Sequence, residues 1–405
     1  MHPVWLVLVL VIACGGAAPP LAWDAPIELA TGGGERGPWK QNQSRFDHVD
    51  DATVVLAPDG TAVVAWVDHR DKDVHLQVRD QRVNVSRTPD VFSWLPRVVI
   101  AGRDIYVLWQ EIIFSGGSHG GDILFARSRD GGATFEPPLN LSHSRAGDGK
   151  GRVTEERWDN GSLDLVRAPD GTLHAAWTEY EGTLWLARSS DGGATFEAPR
   201  AIVTDPAHPA RGPALAATAD AVYLAWTTGE DTRADIHVAS SRDGFAARAV
   251  VERTAGFSDA PQLAVDGAGT LHLAYCEDNA VRYLRSRDRG AHWEASRVLS
   301  REPACYPQLA LDGGAVHVLW EHYPDPDKPP RGLQLASSLD GGERFTRPAL
   351  VPGTRDPAGG GNGSFQGRFA HKLAVRDGAL AVANASLAPG KTSRVWLVRG
   401  AVSRR

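Results

Sequence analysis

The 405-residue chain carries 43 Lys and Arg against 49 Asp and Glu, a net charge of -6 and a pI near 6.2, which give no reason to expect nucleic acid as a partner. With 43 Gly, 26 Pro and 13 Trp beside a single Met, and no amphipathic helical period of convincing length, the composition describes a turn-rich, all-β protein.

In chain order the first element is an apolar run from Val4 to Ile12. It is too short for a bilayer span of about 20 residues and suits a signal peptide. Val11-Ile12-Ala13-Cys14 resembles a bacterial lipobox, with Cys14 as the lipidated residue; the other reading is plain secretion after cleavage near Ala18 or Ala22. Residues 1–22 are therefore read as a leader and 23–405 as one domain. Both readings predict an exported protein, in the bacterial envelope or secreted, that meets the membrane only through a lipid.

A strand ending in an aromatic residue then recurs along the chain. It reads Thr61 to Trp66, Asp104 to Trp109, Thr172 to Trp177, Ala221 to Trp226, Thr270 to Tyr275 and Ala315 to Trp320, with a faded copy from Ala379 to Asn384. Seven units of even size predict a single ring of stacked sheets rather than several domains. Behind the later units stands a second repeat, Ser189-Ser190-Asp191-Gly192-Gly193-Ala194-Thr195-Phe196. Its copies start at Ser128, Ser286 and Ser338, and a worn one reads Ser241-Arg242-Asp243-Gly244-Phe245. Asp accepts hydrogen bonds from the N–H groups ahead of it, Gly supplies positive φ, and the closing aromatic pins the hairpin to a core. Asp130, Asp191, Asp243, Asp288 and Asp340 are thus structural.

The last unit is short of an outer strand, and Trp23 to Leu29 resembles the end of such a hairpin (compare Phe196 to Pro199), so the N-terminal segment is expected to complete the seventh blade. Cys276 and Cys305 remain once Cys14 is set aside. They are predicted to pair across adjacent blades, with two free thiols as the alternative.

The Ser-x-Asp-x-Gly-x-x-Phe/Trp turn at blade spacing resembles the Asp-box, or bacterial neuraminidase repeat, of the sialidase superfamily, across nearly the whole chain after the leader. The resemblance implies a β-propeller of four-stranded antiparallel blades, seven by the unit count and six, as in sialidases, by the alternative. Long insertions at 33–50, 114–122, 142–160, 323–331 and 353–370 fall on the face where inner strands begin and second strands end, which marks it as the binding face.

That resemblance also implies site residues. Arg97, Arg157, Arg211 and Arg368, near inner-strand starts, are candidates for a clamp on a substrate carboxylate. Tyr306 with Glu277 is the candidate nucleophile pair, and Asp71 or Asp73 the candidate acid/base, of a retaining, exo-sialidase-like glycoside hydrolase. The partner implied is a glycan or glycoconjugate; the alternative is a non-catalytic envelope propeller, expected as a monomer, that binds glycan or protein. Sialidases open their first blade with Arg-Ile-Pro, whereas this chain has Val49-Asp50-Asp51-Ala52-Thr53, an acidic start that suits a cation or a neutral sugar. Asp68, Glu111, Glu179, Glu277 and Glu321 follow the second-strand aromatics and read as solvated rim groups. No His-Glu-x-x-His, no zinc-spaced Cys pair, no phosphate loop and no Gly-x-Ser-x-Gly elbow occurs; Asp325 and Asp327, or Asp47, Asp50 and Asp51, read as solvated loop acids with a calcium site as the alternative, and neither cofactor nor metal is expected.

Overall fold

The strands are apolar on both faces, as in Ala62–Asp68, where all seven residues are buried. A sheet of that kind must be covered on both sides. The computed structural model, which describes residues 21–402 except 36, 39, 41, 116–117, 144–151, 154–157, 160–161, 180–181, 206, 230–233 and 365, meets this demand by arranging the blades in a ring. Cys14 and the leader before residue 21 lie outside the described residues.

There are seven blades of four antiparallel strands, so the six-bladed alternative is set aside. Their inner strands are Val49–Leu56, Phe92–Ala101, Leu163–Arg167, Ala210–Ala217, Ser258–Val265, Ala304–Asp312 and Leu373–Arg376. In the seventh blade, Thr392–Val402 pairs with Ile27–Gly32, Ile27 standing opposite Leu397, and with Leu21–Trp23, Leu21 opposite Val402. Strands that precede blade one thus form the outer edge of the seventh sheet and close the ring. Pairing begins at Leu21, slightly ahead of the boundary drawn at residue 22.

The core lies between blades. Among the described residues seven apolar clusters each join two neighbours, for example Val54, Val64 and Trp66 of blade one with Ala381, Ala383 and Val395 of blade seven. Trp66, Trp109, Trp177, Trp226, Tyr275 and Trp320 are all buried, which makes the repeating aromatic a packing residue. Asn384 takes that place in blade seven, donating to Thr354 O at 3.0 Å and accepting from Lys372 Nζ at 3.2 Å.

The turns obey the hydrogen-bond logic of their letters. Ser189 Oγ donates to Asp191 Oδ1 at 2.8 Å and accepts from Gly193 N at 2.9 Å, and Thr195 N and Oγ1 donate to the two Asp191 oxygens at 3.0 and 2.6 Å. The same pattern recurs around Asp130, Asp288 and Asp340. The worn copy is built otherwise: Ser241–Asp243 is a 3-10 turn closed by Gly244 in the left-handed region at φ 68. Cys276 and Cys305 form a disulfide between blades five and six across 29 residues, a loop whose closure restricts the unfolded chain by about 3–4 kcal/mol.

Two predictions concern these turns. Gly342 has φ +84, and a Cβ there would lie 2.0 Å from the Tyr283 hydroxyl, whereas one on Gly341 (φ +65) would come no nearer than 4.0 Å to any neighbour. Gly342→Ala is expected to cost about 2–4 kcal/mol and Gly341→Ala about 1, read from urea midpoints. Backbone donation from His292 and side-chain donation from Arg344 lead the causes that hold Asp288 and Asp340 down to about 2. Their folded values lie below the ordinary one, so they stabilise the fold above pH ~4, and that contribution is lost as pH falls toward 2. In Asp288→Asn the fall in Tm between pH 4 and 2 should be shallower than in the parent.

Candidate functional site

The mouth is shaped by a bulge near the start of the inner strand in five blades, with register shifts at Asp50/Thr53, Trp94/Arg97, Arg211/Ala214, Asp259/Gln262 and Cys305/Gln308. The bulge residue is left-handed in each: Asp51 (φ 55), Leu95 (51), Gly212 (61), Ala260 (52) and Tyr306 (55). Its N–H can then reach the preceding blade, and Leu95 N donates to Asp51 Oδ2 at 2.9 Å as Gly212 N does to Ser162 Oγ at 2.6 Å.

Just inside this rim a charged network crosses the axis. Arg97 Nε of blade two lies 3.9 Å from Asp164 Oδ1 of blade three, and His371 Nε2, from the approach to blade seven, lies 3.7 Å from the same oxygen. Arg97 Nη2 also donates to Phe369 O at 2.6 Å, while Asp164 accepts from Leu165 N at 2.9 Å and Leu215 N at 2.7 Å. Burial is the leading cause of every shift here. It lifts Asp164 to about 6 against the pull of Arg97, lowers Arg97, and pushes His371 well below its ordinary value. At neutral pH the network is therefore Arg97 charged, Asp164 ionised and His371 neutral.

The sequence candidates separate into two groups. Arg97 is 4 % exposed and belongs to this internal network, not to a surface clamp. Asp73 is buried and saturated, accepting from Asn84 Nδ2 (2.7 Å), Ser86 Oγ (2.8 Å) and Thr88 N (2.7 Å), so it holds the blade-one corner instead of serving as an acid. Asp71 is half exposed in the adjoining turn and contacts His75 Nε2 at 2.8 Å. Glu277 is buried with Oε2 on Arg282 Nε at 2.9 Å and 3.5 Å from the Tyr275 hydroxyl. Arg157 lies outside the described residues.

Tyr306 and Arg368 do come together. The Arg368 guanidinium stands 5.8 Å from the Tyr306 ring, whose edge meets Phe369 at 5.0 Å. Burial pushes the Tyr306 hydroxyl up to about 12, Arg368 opposing and the charges of Asp259 and Glu321 adding to the rise. Tyr323, also beside Arg368, is raised chiefly by burial. Arg211 completes this side of the mouth, 3.3 Å from Asp259 Oδ1 and stacked 4.8 Å from the Phe257 ring.

Four of the five acids after the second-strand aromatics are buried, and Glu179 is half-buried. Asp68 pairs with Arg70 and Arg82, Glu111 accepts from Thr88 Oγ1 and Trp109 Nε1, Glu277 pairs with Arg282, and Glu321 pairs with buried Lys372 at 2.5 Å. Asp50 and Asp51 are likewise fully buried, against the expectation of a solvated loop. Burial, and then the charge of Asp50, lift Asp51 to about 8. Sequence reasoning passed over Asp164, His371 and Phe369. The usable signal was that Asp164 and Arg97 carry opposite charges in the slot filled by Thr53, Ala214, Gln262 and Gln308 in other blades.

No protein-family model matches the chain, and no curated protein sequence does. Solved structures do match. A Dyadobacter fermentans protein of unknown function is 11 % identical at a TM-score of 0.52, over 94 % of this chain and 100 % of that one. An inhibitor-bound mutant of an α-L-arabinofuranosidase from Fusarium graminearum is 13 % identical at 0.50, over 93 % and 98 %. A Trypanosoma rangeli sialidase mutant displaying trans-sialidase activity is 13 % identical at 0.50; the match covers 95 % of this chain but 59 % of the sialidase. At such identity the likeness is one of fold, a sialidase-like β-propeller.

The Asp164 shift yields a test. Its folded value lies above the ordinary carboxylate value, so the folded state keeps a proton that the unfolded chain releases, and stability from this group falls as pH rises from about 4 to 6. Measured by urea denaturation, the stability difference between wild type and Asp164→Asn should shift by ~3 kcal/mol against the wild type between pH 4 and pH 7.

Proposed function

We propose that the chain is an exported, glycan-directed propeller of the Asp-box class whose ligand is an acidic saccharide held at the mouth by Arg368 and the rings of Tyr306, Tyr323 and Phe369. The observation that carries this reading is the half-buried Tyr306–Arg368 pair, an aromatic ring and a guanidinium group that stand together on the insertion-bearing side of the ring of blades. Aromatic rings with a few fixed polar groups are the usual lining of a small-molecule site, and guanidinium matches a carboxylate bidentately. Export is supported by the apolar leader and by the Cys276–Cys305 disulfide, a bond that persists in oxidising compartments.

Within this reading, binding without hydrolysis is favoured. With its hydroxyl near 12, Tyr306 is ionised in roughly one molecule in 10⁵ at pH 7, so it needs a base at hand. Glu277 is committed to Arg282 and Asp73 to the blade-one corner. The retaining-hydrolase reading rests on Tyr306 itself, set at the mouth among the charges of Arg368, Asp259 and Glu321.

A panel of fluorogenic glycosides, sialosides included, together with titration calorimetry of acidic and neutral oligosaccharides, separates the two. The expected outcome is salt-sensitive binding of an acidic saccharide, weakened about 10- to 100-fold in Arg368→Ala, with no turnover. Turnover of a sialoside that vanishes in Tyr306→Phe would establish the hydrolase instead, and neither binding nor turnover would redirect the search to an envelope protein as partner.

A further inference from the structure

Blade one begins with a group of residues that the glycan reading does not use. His48 stands just ahead of the strand Val49–Leu56, two residues before Asp50, and His69 follows the end of its partner strand Ala62–Asp68, donating its backbone N–H to His48 O at 3.0 Å. The two imidazoles stack with centroids 4.0 Å apart. Ligand-capable atoms of His48, Asp50 and His69 all lie within 4.8 Å of one another, and all three residues are at most 2 % exposed.

The Asp50 carboxylate is the informative member. One oxygen accepts from Ser364 N at 2.6 Å; the other, Oδ1, is buried and has no hydrogen-bond partner among the described residues. No Lys or Arg forms an ion pair with Asp50 among those residues. The blade-seven insertion confines the open oxygen with two glycines, where a Cβ on Gly363 or Gly367 would lie 2.1 or 2.7 Å from Oδ1. A buried carboxylate left without a countercharge is costly. The neighbouring cluster of Asp68, Asp71 and His75 solves the same problem with Arg70 and Arg82.

We infer that His48, Asp50 and His69 form a binding site for a divalent transition-metal ion of the zinc class, which locks the entry strand, the blade-one hairpin and the blade-seven insertion together. Two imidazoles and one carboxylate suit Zn²⁺ and its first-row neighbours, whereas Ca²⁺ and Mg²⁺ require oxygen-rich sites. Contraction of three groups already within 4.8 Å brings them to bonding distances of about 2 Å around a common centre. Because the site is buried, the ion enters during folding and exchanges slowly from the native chain. Its three ligands are distinct from Arg368, Tyr306, Tyr323 and Phe369 at the mouth.

The test is to unfold the purified protein in chelator and refold it with Zn²⁺ or with chelator, then measure metal content by mass spectrometry and Tm. One zinc per chain and a raised Tm are expected after refolding with Zn²⁺. Asp50→Asn and His69→Gln, where folded by circular dichroism, should hold less than about a tenth of that zinc under matched free metal. A folded wild type without zinc, or variants that retain a full equivalent, would overturn the assignment. Should the variants fail to fold, reconstitution of the wild type with Co²⁺ decides: ligand-field absorption of an imidazole-bound, low-coordinate ion supports the site, and its absence refutes it.

Discussion

Ring closure is the constraint on which this molecule rests. A single blade has two apolar faces and no means of burying either, so each is stable only between two neighbours, and the series is satisfied only when the seventh meets the first. The antiparallel pairing of Ile27–Gly32 with Thr392–Val402 completes the last blade and covers its outer edge. The cluster of Val54, Trp66, Ala383 and Val395 then buries the remaining pair of faces.

The chemistry of the mouth follows from that geometry. Inner strands converge on the axis, so side chains that would be far apart in an open sheet are crowded together, and polar residues there must satisfy one another. Arg97, Asp164 and His371 come from three blades and meet at the centre for this reason. The acids that end the second strands take partners of their own, Arg282 for Glu277 and Lys372 for Glu321. Farther out, the insertion before blade seven brings Arg368 and Phe369 over Tyr306.

Much of the fold was legible because its signals are local. The Ser-x-Asp turns, the recurring Trp and the missing outer strand each follow from a few neighbouring letters, and the placing of Cys276 and Cys305 needed only the blade count. The site was less legible because it depends on where side chains point after a bulge. Arg97 has the position of a clamping residue, but the register shift after Trp94 directs it inward to Asp164. Glu277 stands at the end of a second strand as an activating base would, yet Arg282 from the next strand of its own blade takes its carboxylate. Sequence spacing shows that residues share an end of the ring; it does not show which opposite charge each will choose.

The closing pair of strands also sets a timetable. Ile27 and Leu397 are roughly 370 residues apart, so joining them costs ~5 kcal/mol of chain entropy beyond the constant term, and only the final hairpin can supply the partner. While the chain emerges from the ribosome, its first strand has nothing to pair with, and the intermediate blades are an arc with two uncovered ends. The ring therefore closes last, by the meeting of two strands that stand far apart along the chain.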